Sequence, residues 1–138
     1  MPQPTFPQVR AALAAYLTSS IGLRATANRF GQVNPPCAVI LPETGRLISY
    51  AQTFDGETNY YLQAVLLVSE GDSASGQDLL DGYLSPTGNG SVNAAVQADP
   101  TLGGVVSYAA VIQATGYGIR NWNGVDYLSC SLSCNIGT

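Results

Sequence analysis

The run Asn59 to Ser69 constrains the fold of this chain more than any other segment, because from Ala64 to Val68 five apolar residues follow one another without a break. A strand with one wet face alternates apolar and polar residues; a strand that does not alternate needs cover on both faces. The run therefore predicts a central strand. Ile48 to Phe54 reads as a strand before it, joined through Asp55-Gly56-Glu57-Thr58 as a hairpin with an acidic tip. Cys37 to Leu41, set between Pro35-Pro36 and Pro42, is short, apolar and partly β-branched, the pattern of another buried strand.

Asn123-Gly124 is the strongest two-residue turn signal in the chain and centres a long hairpin over residues 104–136. Stepping outward from it pairs Trp122 with Val125, Arg120 with Tyr127, Ile119 with Leu128 and Tyr117 with Cys130. That register sends Ile119, Tyr117, Leu128, Cys130, Leu132 and Cys134 to a core face. Arg120, Gly118, Gly116, Tyr127, Ser129 and Ser131 then share a small, polar face suited to solvent, a lumen or a neighbouring subunit.

Thr5 and Gln8 have capping-box spacing, Pro7 sits in the first turn, and Val9, Leu13, Tyr16 and Leu17 recur at helical intervals, predicting a helix over about 6–19 that Gly22 ends. Residues 22–35 read as irregular. Ser75-Gly76-Gln77-Asp78 opens a short amphipathic helix that stops before Pro86, and Ser91 caps another that stops at Pro100. The sum is one α+β domain over residues 1–138. An antiparallel or mixed β-sheet carries an N-terminal helix and short helices packed on it, and a long C-terminal β-hairpin closes the chain.

Composition excludes more than the motifs include. The chain has no histidine and no lysine; its five cations are Arg10, Arg24, Arg29, Arg46 and Arg120. No Ser-His-Asp, Cys-His or Ser-Lys arrangement and no P-loop lysine can be built from it, so non-enzymatic function is the first expectation. Net charge is −4, opposite to the basic patch that nucleic-acid binding needs. Charged residues are 10% of the chain, so few that much of the exterior is expected to lie against other subunits. The start lacks a signal-peptide pattern and no long apolar run follows, so synthesis in a cytoplasm with no membrane partner is expected. In that compartment Asn89-Gly90-Ser91 has no meaning as a glycosylation site.

The candidate chemical sites each have a plainer reading. Cys130 and Cys134 are about 13 Å apart along one strand at roughly 3.3 Å per residue, too far to bridge, and read with Cys37 as buried small hydrophobes. Glu70 to Asp78 has oxygen ligands, but Ala74 occupies a place where a calcium loop needs one. Asp55 and Glu57 suit an acid–base pair only if something raises a pKa, and a solvated turn does not. Gly88-Asn89-Gly90 lacks the strand that a phosphate cradle follows. No cofactor and no metal is expected. A small hydrolase or a monomeric ligand-binding module are the alternatives from other classes.

The leading helix, Pro-Pro-Cys-Ala-Val-Ile-Leu-Pro at residues 35–42, the first hairpin, Ser91 to Val96, Asp99-Pro100-Thr101-Leu102-Gly103-Gly104 and the closing hairpin through Tyr127 to Leu132 together resemble the tail terminator proteins of long-tailed bacteriophages. The resemblance runs over nearly the whole chain and implies a virion role without catalysis. A ring of six copies would cap the tail tube, end its polymerisation and offer the surface that joins the head. It implies three kinds of partner: further copies of the chain, the tube protein, and a head-completion or connector protein. DNA would pass through without specific binding, past a ring of formal charge −24, six times −4. A head-completion or head-to-tail adaptor is the alternative within the class. Loops reach neighbours in such rings, which makes Arg46, Asp55 and Glu57 the interface candidates, followed by Arg24 and Arg29.

Overall fold

A computed structural model of the chain describes residues 5–26, 36–43, 48–50, 58–69, 73–122 and 124–138. Helix α1 spans Phe6–Ile21. The Thr5 hydroxyl accepts from the Gln8 amide at 3.4 Å, and the Thr5 amide donates back to Gln8 Oε1 at 2.8 Å, so the expected capping box is present. Val9, Leu13, Ala14 and Leu17 form its buried stripe, and Gly22 ends it in the left-handed conformation, φ 71°.

The irregular stretch expected after Gly22 is instead strand β1, Arg24–Thr26, where it is described; residues 27–35 lie outside the described residues. Three residues are too few to show a period, and tertiary contacts supply what the pattern lacks. Leu23 is buried, the Ala25 amide donates to Thr18 Oγ1 at 3.2 Å, and β1 pairs in parallel with β2, Cys37–Pro42, setting Arg24 beside Cys37. Strand β3 is described for Ile48–Ser49 and pairs antiparallel with β4, Asn59–Ser69, as a hairpin requires; the rest of the expected strand to Phe54 lies outside the described residues, apart from Tyr50, which is irregular.

Helices α2, Ser73–Leu84, and α3, Val92–Ala98, follow. Ser91 caps α3 by accepting from the Ala94 amide at 3.0 Å, while its own hydroxyl donates to the Ser85 carbonyl. Strands β5, Tyr108–Trp122, and β6, Val125–Gly137, form the long hairpin. Among the described residues the sheet runs β1-β2-β4-β6-β5, with β3 paired to β4 off this path, so β4 lies at its centre as its unbroken apolar run predicts, and β1 and β5 end the path.

The two faces of the sheet differ. Ala38, Ile40, Leu62, Ala64, Leu66 and Leu132 share one cluster with the buried residues of all three helices. Cys37, Val39, Leu41, Val65 and Leu67 form a second cluster on the opposite face, with Trp122 and Tyr127 packed against it. Alternate residues of one strand thus enter different cores, which is why β4 needs no polar positions between Ala64 and Val68.

Candidate functional site: an exposed sheet edge and the cleft beside it

The C-terminal hairpin keeps the expected register near its turn, with Trp122 opposite Val125, Arg120 opposite Tyr127 and Ile119 opposite Leu128. It then departs. Gly118 pairs with Ser129 and Thr115 with Ser131, so Gly116 and Tyr117 form an irregularity and the expected pairing of Tyr117 with Cys130 does not occur. A second shift falls between Val111 and Gln113, at Ile112.

The expected faces change accordingly. Cys130, Leu132 and Cys134 are buried as predicted, but Tyr117 and Ile119 are 44% and 56% exposed. Ser129 and Ser131, read from sequence as facing outward, are buried, as is Ser133. The cause is position in the sheet. Strand β6 lies one place in from the edge, where Ser129 and Ser131 stand beside Leu67 and Val65 of β4. Strand β5 is the edge itself, where only Ala109, near its start, is buried in the core shared with the helices.

Among the described residues no strand pairs with the outer side of β5, and from Gly116 to Leu128 none of the described residues of the hairpin is fully buried. Ile112, Tyr117 and Ile119 stand on the helix-bearing side of this edge. Ile112 lines an open cleft of about 290 Å³ with Tyr83, Leu84, Pro86 and Leu132. The Tyr117 hydroxyl donates to Asp81 Oδ1 of α2 at 2.8 Å, and Ile119 lies opposite Leu128, which packs on the helical core. Desolvation, followed by the hydrogen bond to Asp81, pushes the Tyr117 phenol above its ordinary pKa. It therefore remains a neutral donor at physiological pH. On the other face the Arg120 guanidinium donates to Ser131 Oγ at 3.4 Å.

The thiols offer packing. Burial pushes Cys134 up to about 12, with Glu43 adding to the rise, and burial also raises Cys130, whose sulfur lies 3.2 Å from the Thr115 carbonyl. Cys37, Cys130 and Cys134 are all buried, and none forms a disulfide. Among the described residues no group of three histidine, cysteine, aspartate or glutamate side chains is placed to hold a metal, and no helix is long and apolar enough to cross a membrane.

Of the residues singled out in the sequence, Arg24 is exposed on β1, the edge opposite β5. Arg29, Arg46, Asp55 and Glu57 lie outside the described residues, as do Glu70 and Asp72. Sequence reasoning missed the β5 stripe because symmetric stepping from the turn assumes an unbroken ladder. The signal that marks the break is Gly116-Tyr117-Gly118, two glycines inside a strand pattern. No protein-family model matches the chain, and no curated protein matches it.

Proposed function

We propose that this protein is a structural subunit of a bacteriophage tail, a tail terminator that forms a ring, of six copies in such assemblies, on the end of the tail tube. The ring stops tube growth and presents the surface to which the head joins. The observation that carries the reading is the β5 edge: 15 residues with one charge, Arg120, and with Ile112, Tyr117 and Ile119 exposed along one side. An edge of this length with so little charge is a template for pairing with another polypeptide, and assembly is the use that protects it. The composition agrees, since a chain without histidine or lysine and with 10% charged residues suits contact with protein neighbours better than acid–base chemistry.

The test is tail length by electron microscopy in a phage stock lacking the gene. Overlong, headless tubes are expected. Tails of normal length beside separate filled heads would move the protein to the head side of the joint, and unaltered infectious particles would end the virion reading.

A further inference from the structure

We infer that Asn89-Gly90 is a self-modification site, at which the Asn89 side chain cyclises onto the Gly90 nitrogen and hydrolyses to aspartate or isoaspartate ahead of the other Asn-Gly pair, Asn123-Gly124. In the first step the Gly90 amide nitrogen gives up its proton and attacks Cγ of Asn89. The N–Cγ bond forms, the Cγ–Nδ2 bond breaks, and ammonia leaves with the proton, so that a cyclic succinimide replaces the peptide bond. Water then opens the ring at either carbonyl. One opening gives aspartate; the other routes the main chain through the former side chain and gives isoaspartate.

The reaction needs an attacking nitrogen that is unhindered and whose proton is not held. Glycine has no side chain to block the approach. The space around Gly90 is open, since a Cβ built there would meet no heavy atom within 4 Å. Asn89 is exposed in the turn between α2 and α3, and among the described residues neither its side chain nor the Gly90 amide makes a hydrogen bond. The bond that closes this turn passes both by, running from the Ser91 amide to the Gly88 carbonyl at 3.2 Å.

The other described asparagines are held, or precede residues with side chains. Asn59 accepts from the Tyr108 hydroxyl at 2.6 Å, Asn93 lies in α3 with Nδ2 donating to the Pro86 carbonyl at 3.2 Å, and Asn121 Nδ2 donates to Asp126 at 3.0 Å. Asn135 stands in β6 before Ile136. In the closing turn Asn123 lies outside the described residues, but the nitrogen that would attack it does not. The Gly124 amide donates to Asn121 Oδ1 at 3.2 Å, so the proton that has to leave is held.

The fold tolerates the change at residue 89. Ser91 caps α3 through its own hydroxyl, which accepts from the Ala94 amide and donates to the Ser85 carbonyl, and Asn93 ties α3 to Pro86; none of these bonds uses Asn89. The product adds one negative charge to the net −4, in the turn between Pro86 and Asn93, which both line the cleft beside Ile112. The site goes beyond the tail-ring reading and stands without it.

Peptide mass spectrometry of the full-length native protein, held at mildly alkaline pH and sampled over time, tests this. Because the chain has no lysine, trypsin cuts on either side of Asn89 after Arg46 and Arg120, and Asn123 falls in the separate peptide 121–138. The expected result is a gain of one mass unit in peptide 47–120, placed at residue 89 by fragmentation. Its rate is expected to be about five times that of any gain in 121–138, the factor that one hydrogen bond holds back. In the denatured chain the two pairs are expected to react at similar rates. Gly90→Ala, for which there is room, is expected to keep the circular dichroism of the parent and to lose most of the gain. The inference is overturned by no gain at residue 89, by an equal or faster gain at residue 123 in the native protein, by the same gap in the denatured chain, or by a gain indifferent to Gly90→Ala. None of these results bears on the ring, which the tail-length experiment judges.

Discussion

Three residues show how local chemistry sets what this fold tolerates. Gly76 sits where α2 meets β4, and a Cβ there would lie 2.7 Å from the Ser69 carbonyl oxygen, a backbone atom that cannot swing aside. Gly76→Ala is expected to cost about 1–3 kcal/mol, read from denaturant unfolding, although alanine favours helix. The Ser129 hydroxyl is buried without a hydrogen-bond partner among the described residues, so Ser129→Ala removes an unsatisfied group and is expected to leave stability unchanged or raise it by up to about 1 kcal/mol. Asp99 accepts from the Thr101 hydroxyl at 2.6 Å and from the Gly103 amide at 3.0 Å, and these bonds hold its carboxyl below the usual carboxylate range. The native state thus prefers the ionised form. Its stabilising contribution is complete above the unfolded pKa of about 3.9 and is lost as pH falls through the lower folded value. Thermal unfolding measured from pH 6 down to pH 2 is expected to show a shallower acid decline in Asp99→Asn than in the parent.

At the scale of elements, stability is graded across the sheet. Strand β4 pairs on both sides and enters both apolar clusters, whereas from Gly116 to Leu128 none of the described residues of the hairpin is fully buried. Hydrogen exchange is expected to be slowest for the β4 amides and fast on the outer side of β5; equal protection of the two strands would contradict this grading. This gradient also explains what was legible in the sequence. The capping box at Thr5, the Ser91 cap and the uninterrupted run of β4 are local signals, and each marks its element. The exposure of Ile119 and the burial of Ser129 depend on how many strands lie between a residue and the sheet edge, which no spacing encodes. Strand β1 was hidden for the same reason, since Arg24–Thr26 becomes a strand through its pairing with β2. For the interface candidates, Arg24 lies on the edge opposite the β5 stripe, and the stripe itself is apolar, so a reading built on charged residues in loops passed over it.

Among the described residues the whole molecule is a sheet with its helices packed on one face and β5 as its longest edge, and the proposed tail role rests on that edge being a surface for assembly. The most direct measurement is the distribution of tail lengths when a phage lacking this gene is complemented by the Ile119→Lys protein, with the parent protein as control. Ile119 is more than half exposed, so the variant is expected to fold and accumulate like the parent while the tails remain overlong and headless. Tails of normal length, joined to heads, at the titre the parent gives would contradict the account.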